Sequence, residues 1–474
     1  MSQAVMSQAR VAVNKNPYLV MMGLYLGAFI GMFSETSLNI ALPQLMNVFG
    51  VSAAAAQWMV VGYMLVIGLV LPFASLLMKW FSVKSLSLFA LGAFLVGAVI
   101  SGCAGSFAVL LAGRMIQGIG TGLVLPMMFA LVLEVFPPHK IGAAMGLTAL
   151  IIMFAPAIGP TLSGIVLGAL SWRALFFLFA IVLFVAMLFT AKYMISPYEI
   201  SKPRIDLLSC VLSCIGFGGL VLGVSLASAL GWGSLPVVAA IVCGVVCIAL
   251  YAKRQLSLKV PVLNVRAFAI PAFRTGALLV MIDFGITLSS MYLLPQYLQN
   301  GMLLPVAMTG IIMLPGGVVN ALVSLFAGTL YDKIGAKAPV RLGFLLSAVG
   351  AVMLALAGSD ASVAYVILCH VIIMIGVPLA MSPAQSSGLN ALPGALSTDG
   401  STILNTMQQV LGAVCTAVAT SLLAIGQSAY LTAGGSDSAQ AFVQGTHYGL
   451  YFTVALAVLG FVIALFGLKD SQKH

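Results

Sequence analysis

Three side chains in this sequence carry charge where charge is least welcome. Glu35, Arg114 and Asp283 each fall inside an apolar run long enough to cross a bilayer. An unpaired charge at mid-bilayer costs roughly 2.5–3.5 kcal/mol on insertion scales, so each implies a partner, a water-filled cavity or a function. Glu35 lies toward the outer part of the first run and Arg114 near the outer end of the fourth, so antiparallel helices would bring them to similar depth. A guanidinium beside Glu35 favours its ionised form, and separation of the two favours the protonated one. That is a proton switch; a static structural ion pair is the competing reading. Asp283 sits about ten residues, or ~15 Å of helical rise, into the ninth run, near the midplane. Two carboxylates facing one cavity would bind protons and a cationic substrate competitively. For Asp283 the plainer alternative is a polar contact to a neighbouring Ser or Thr.

Other chemistries are thin. Glu134 reads as interfacial, and His370, inside the twelfth run, reads as a neutral hydrogen-bonded histidine. Cys210/Cys214 and Cys243/Cys247 stand at i, i+4 spacing without His or acidic companions, so packing is expected and no metal. Scattered histidines at 139, 370, 447 and 474 supply no catalytic cluster, and phosphate-loop and nucleotide signatures are absent, so no enzyme and no cofactor are expected. Some of the 25 methionines are expected to line an adaptable apolar cavity.

The elements that must position these groups follow from composition. Of 474 residues 62% are hydrophobic and 6% charged, against roughly 25% charged in soluble proteins, so the chain is an all-α integral membrane protein. The net charge of +10 is spread singly between apolar runs, without the basic stripe that nucleic acid requires, so the bilayer and not nucleic acid is the expected partner. The polar start, to Pro17, lacks a small-residue cleavage site and reads as no removable signal peptide. Fourteen spans of the ~20 residues a bilayer requires are predicted near 18–46, 55–78, 85–104, 107–135, 141–169, 174–195, 207–229, 235–252, 275–298, 304–327, 340–358, 362–384, 401–425 and 448–468. The longest connections are predicted at 196–206, 253–274, 385–400 and 426–447. With the N-terminus inside, every Lys and Arg except Arg114 (within a span) and Arg173 (outside) falls in a cytoplasmic segment, which puts both termini in the cytoplasm.

The chain also repeats itself. Ser75–Lys84 after the second span matches Gly328–Lys337 after the tenth, and Leu42-Pro43-Gln44 matches Leu294-Pro295-Gln296. Spans one to six (residues 1–195) and nine to fourteen (275–474) therefore read as two six-helix bundles. Spans seven and eight with their linkers (196–274) are inserted between them, and a site at the interface of the halves is expected. The stretch Phe154–Gly164 places Pro156, Gly159, Pro160 and Gly164 inside the fifth span. Such breakers are tolerated where neighbouring helices or a cavity re-satisfy the freed backbone groups, as in a moving helix or a kinked packing one.

These motifs carry a resemblance. Ser34–Pro43 resembles the first-span signature, and Leu111–Gly120 the fourth-span motif, of the fourteen-span drug:proton antiporters of the major facilitator superfamily. Phe154–Gly164 resembles their fifth-span antiporter motif, Gly328–Lys337 the cytoplasmic gating loop, and Asn405–Gly412 the thirteenth span. The likeness covers essentially the whole chain and is nearest to the lincomycin-resistance-type branch of Gram-positive bacteria. It implies the major facilitator fold and a monomeric multi-pass exporter in a bacterial cell membrane. Amphipathic drugs would leave by alternating access, driven by the proton gradient. A specific lipid or metabolite, or uptake by symport on the same fold, is the alternative; a channel is disfavoured by the antiporter motif. Proton coupling is then expected at Glu35, Arg114 and Asp283, and substrate contact at Asp283, Glu35, Asn39, Gln117, Asn405 and Gln408. The cytoplasmic gate would be Gly328, Asp332, Lys333, Gly335 and Lys337. One departure stands out: the first-half loop has Lys79 where its copy has Asp332, with Ser75 and Ser82 in place of glycines. Either the first-half latch is weak or Asp332 carries it.

Overall fold

The computed structural model describes residues 16–137, 141–196, 200, 206–258, 261 and 263–468. Arg10, Lys15, Lys140, Lys202, Arg204, Lys259, Lys469 and Lys473, used above for topology, lie outside the described residues, as does the side chain of Asp332. The described chain is all helical. The first bundle comprises α1 (Pro17–Phe49), α2 (Trp58–Trp80), α3 (Val83–Gly102), α4 (Phe107–Val135), α5 (Ile141–Ala169) and α6 (Trp172–Tyr193). The inserted pair is α7 (Leu207–Leu230) and α8 (Leu235–Ser257). The second bundle comprises α9 (Pro271–Gln296), α10 (Val306–Ile334), α11 (Lys337–Ala355), α12 (Val363–Asn390), α13 (Gly394–Thr432) and α14 (Ser438–Gly467). Thirteen of these helices are long and apolar enough to span a bilayer over described residues, and α5 contributes the described apolar stretch Phe154–Ala169.

Local sequence sets the helix ends. Ser82, Ser106 and Ser362 cap the first turns of α3, α4 and α12, and Asp437 accepts from Ala439 and Gln440 at the start of α14, taking up backbone donors a first turn leaves free. Two predicted loops are helical. α13 begins at Gly394 rather than near 401 and runs to Thr432, and α14 begins at Ser438. The added turns of α13 are held by burial: Leu396 packs on a small second core of Phe273, Leu392, Ile403 and Leu404, and Gly400 lies against Phe273 and Leu392.

Within each half the helices close-pack through small residues. α3 meets α4 at Ala90 and Gly120, and α11 meets α12 at Gly343 and Gly376, equivalent places in the two copies; a Cβ on Gly120 or Gly376 would lie 2.5 Å from the facing carbonyl. The halves meet along two seams, α5 against α10 and α2 against α13. α7 packs on α2 and α13, while α8 packs on α7. The α7–α8 pair is tied at its open end by Arg254, whose Nε and Nη2 donate to the two carboxylate oxygens of Asp206 at 2.6 Å.

That pair makes a pH-dependent contribution. The Arg254 fork and the Ser209 hydroxyl hold the Asp206 carboxyl down at about 2. A depressed carboxyl contributes stability above its unfolded value near 4 and loses it as pH falls toward 2. Asp206→Asn is therefore expected to lower the melting temperature of the purified protein at pH 7 by about 1–2 °C, as suits a partly exposed pair. The difference between the variant and wild type should be much smaller by about pH 2 than at pH 7, read by thermal melts at both pH values.

Candidate functional site: a cavity between the halves

Between the bundles lies a cavity with an empty volume of ≈ 810 Å³, part of it open to solvent. Its walls come from five helices. α1 supplies Met32, Glu35 and Thr36; α5 supplies Ile152 and Pro156; α9 supplies Phe284, Thr287, Leu288 and Met291. α10 adds Gly317, Asn320 and Ser324, and α12 adds Met374, Val377, Pro378 and Met381. Four methionines and a phenylalanine make the wall apolar and deformable, as expected for varied lipophilic shapes. Glu35 is the single ionisable residue on this wall among the described residues.

Glu35 is 1% exposed, and its Oε2 has no hydrogen-bond partner. The Gln409 amide of α13 reaches its carboxyl from the other half. Arg114 is wholly buried beside it and forms no ion pair with it. The guanidinium instead donates Nη1 to the Ser34 hydroxyl at 2.6 Å and to Gln117 Oε1 at 2.9 Å. Nη2 donates to the Ser34 carbonyl at 3.1 Å, and Nε to the Met59 carbonyl at 3.0 Å. Its carbon centre stacks 3.8 Å above the Tyr63 ring. The expected Glu35–Arg114 pairing is thus corrected to proximity: Arg114 is saturated by α1, α2 and α4 groups, and Glu35 turns to the cavity.

Asp283 stands apart from Glu35. It is fully buried with both carboxyl oxygens unpartnered, and it is not on the cavity wall; its neighbour Phe284 is. The nearby Thr287 hydroxyl donates to the backbone carbonyl of Asp283 at 3.0 Å, not to its carboxyl. Asn39 and Gln408 are buried with unpartnered amide atoms, and Asn405 is half-buried, all three away from the wall. Gln117 belongs to the Arg114 network and passes it on to the Ser101 hydroxyl at 3.0 Å. His370 faces α10, where a Cβ on Gly316 would meet its ring, and its Nδ1 is unpartnered. Sequence reasoning missed Tyr63, Gln409 and Asn320. Tyr63 carried a signal, a hydroxyl in an apolar span at the depth of Arg114.

The helix breakers have identifiable partners. Proline has no N–H, so Pro160 frees the carbonyl of Pro156 and Pro378 frees that of Met374. Thr36 Oγ1 donates to the Pro156 carbonyl at 3.3 Å, and Asn320 Nδ2 donates to the Met374 carbonyl at 3.4 Å. Beyond the cavity, α5 and α10 touch backbone to backbone. A Cβ on Gly164 would lie 2.8 Å from Gly310 Cα, and Thr161 Oγ1 donates to the Gly310 carbonyl at 3.0 Å.

At the opposite end, Gly335 takes φ +77°, which ends α10, and Lys337 opens α11. Gly328 is half-buried and Lys333 exposed there. In the other half, the exposed Lys79 lies within electrostatic range of Asp399 on α13, which also accepts from the Asn264 backbone. The acid missing from the first-half loop thus faces it from the second half.

The sequence profile of the Major Facilitator Superfamily matches residues 24–206 and 204–416. The chain belongs to that superfamily. It is 43% identical to the lincomycin resistance protein LmrB of Bacillus subtilis (strain 168), over 96% of each chain. It is 41% identical to LmrB of Listeria monocytogenes, over 95% of this chain and 96% of the relative. More distant is the multidrug resistance protein Stp of Mycobacterium tuberculosis, 26% identical over 88% of this chain. In fold it resembles a bacterial homologue of the lysosomal transporter Spinster, with TM-score 0.66 at 14% identity, covering 96% of this chain and 98% of that one. A POT family transporter matches with TM-score 0.65 at 17% identity, over 94% of both chains. The protein is a multi-pass membrane transporter of the superfamily, with antibiotic- and multidrug-resistance proteins among its relatives.

Proposed function

We propose that the protein exports amphipathic, lipophilic drugs across a bacterial cell membrane in exchange for protons, by rocking its two bundles about the cavity as a monomer with both termini in the cytoplasm. The observation that carries this reading is the placing of Glu35. A buried anion with an unpartnered oxygen is costly, so a carboxyl on an apolar wall gains from a proton or from a cationic ligand, and gains from both in turn. That competition is what exchange of drug for proton requires. The saturated Arg114 network fixes α1 against α2 and α4 and keeps a positive charge behind Glu35. Asp283, buried off the wall, is a candidate second proton carrier that reaches the cavity only if α9 turns. The protein needs no resident cofactor in this reading.

The test uses purified protein in liposomes with an imposed proton gradient, following ethidium and lumenal pH together. Wild type is expected to move ethidium against a proton flux, and Glu35→Gln to lose the gradient-driven part by at least about tenfold, the cost of ~1.4 kcal/mol in a coupled step. Undiminished gradient-driven movement in Glu35→Gln removes Glu35 from the coupling. Absence of any dye movement in wild type argues for a narrow lipid or metabolite substrate.

A further inference from the structure

We infer that Tyr63 is a positioning residue for the exchange: its ring holds the Arg114 guanidinium toward neutral groups, so that Glu35 stays unpaired and open to a cation or a proton. The inference rests on the reading of Glu35 as the exchanging carboxyl.

The observation that calls for it is an ion pair that does not form. Arg114 and Glu35 are both buried, and each lies in the electrostatic field of the other. Opposite charges removed from water attract strongly, and a carboxylate with an unpartnered oxygen is the best acceptor a buried guanidinium can find. Arg114 donates instead to the Ser34 hydroxyl and carbonyl, the Met59 carbonyl and the Gln117 amide. A guanidinium donates in its own plane, so whatever fixes that plane fixes the choice of acceptors. Tyr63 is placed to fix it. The guanidinium carbon lies 3.8 Å from the centre of the ring, which covers one of its faces.

The ring is itself held. Its hydroxyl donates to the Gly31 carbonyl at 2.9 Å and shares a hydrogen bond with Thr121 Oγ1 at 2.7 Å. Gly31 stands one turn before Glu35 on α1, and a Cβ there would lie 2.8 Å from Thr121 Cγ2. The three helices therefore meet at this hydroxyl because residue 31 has no side chain. Met59, whose carbonyl takes Arg114 Nε, lies one turn before Tyr63, so one face of α2 supplies both the platform and an acceptor beside it. Tyr63 is wholly buried and off the cavity wall, so its part is exerted through Arg114 on Glu35.

Among the described residues no other charge competes. Glu35 is faced by Tyr63 of α2 and Arg114 of α4. The wall residues of α5, α9, α10 and α12 carry no charge, and Asp283 of α9 lies off the wall. Arg173 and Lys192 of α6 stand at its two ends. Without the ring, the guanidinium can leave its present plane and take the Glu35 carboxyl in a static pair, which closes that carboxyl to drug and proton alike.

The test measures equilibrium binding of tetraphenylphosphonium to the full-length protein in lipid nanodiscs, at neutral and mildly acid pH. Tyr63→Phe keeps the ring and loses the hydroxyl; Tyr63→Met loses both and fills the space with an unbranched side chain. Tyr63→Phe is expected to bind within about twofold of wild type, and Tyr63→Met about tenfold more weakly, as weakly as Glu35→Gln. In the Glu35→Gln background Tyr63→Met is expected to change nothing further, because the ring acts through the carboxyl. Should Tyr63→Met fail to fold, Tyr63→Leu asks the same question. A further loss in that background, or equal binding by Tyr63→Phe and Tyr63→Met, overturns the proposal, since packing alone gives either result. Wild type that binds no tetraphenylphosphonium overturns it together with the exchange reading. Wild-type binding that needs Glu35 but ignores acid sinks proton exchange alone, and the difference between Tyr63→Phe and Tyr63→Met then still decides the part of Tyr63.

Discussion

Arg114→Ala is expected to abolish gradient-driven transport and to destabilise the protein more than any other single change in the first bundle. The reason lies in how completely the guanidinium is used. It satisfies the Ser34 hydroxyl, two backbone carbonyls and the Gln117 amide, and it rests on Tyr63, all without exposure to water. Removing the guanidinium leaves those buried neutral acceptors unpaired at a cost of about 1–3 kcal/mol each. It also takes away the positive charge behind Glu35 and leaves a void the size of one of the largest fully buried side chains among the described residues. Arg114→Lys separates charge from geometry: it keeps the charge but supplies one compact donor group in place of a planar fork that reaches two helices. Melting temperature should therefore fall for both variants, and steeply for Ala. If Arg114 serves only as a charge, Arg114→Lys retains coupled transport near the wild-type rate. If the fork holds α1 in place, both variants lose it by about two orders of magnitude, the rate equivalent of ~2.7 kcal/mol. The structure favours the second result, since three of its four hydrogen bonds tie α4 to α1 and α2. Dye transport in liposomes and a thermal melt decide between them.

The second large effect is expected at Gly164. A branched side chain there has nowhere to go, because the ideal Cβ already lies 2.8 Å from Gly310 Cα and 3.1 Å from the Val306 carbonyl, both backbone atoms that cannot rotate aside. Gly164→Val should force α5 and α10 apart at their crossing, at an overpacking cost of about 1–3 kcal/mol. That cost falls on the closed crossing alone, so transport should drop about tenfold or more while the protein still folds. A cysteine reporter at Ala307, which faces Gly168 in the same crossing, should react faster with a water-soluble maleimide in the variant. Gly218→Val in α7 is the matched control. A Cβ there meets nothing within 4 Å, so transport should be unchanged. Equal losses at 164 and 218 would mean that the crossing has no special part in the cycle.

The sequence carried the depth of each buried charge but not its rotation. Glu35 and Arg114 were expected at one level and are neighbours, because level is set by counting residues from a span end at a fixed rise. Which groups Arg114 bonds depends on the turn of α1 and α2 about their axes. In spans apolar on all sides, no amphipathic stripe records that turn. Asp283 shows the same limit: one residue separates it from Phe284, and a step of about 100° takes it off the cavity wall. Likewise the sequence pointed to Gln408, and it is the adjacent Gln409 that reaches Glu35. The extension of α13 was hidden for a different reason: its first turns are rich in Gly, Ser and Thr, and only tertiary packing on Phe273 and Leu392 makes them helix. The prolines and glycines of the fifth span were the most legible feature, since a missing N–H and a missing Cβ are properties of the residue and not of its orientation.

Thr36 and Asn320 each hold a carbonyl that a proline leaves free, one in α5 and one in α12, and both also stand on the cavity wall. α5 and α12 are therefore held at these prolines from the inside, by side chains a guest molecule can touch. A solute that engages either hydroxyl or amide withdraws it from the kink and gives the helix slack at its weakest point. Cargo of very different shapes can then produce one and the same mechanical signal, because the protein registers the loss of a pin and not the outline of what removed it.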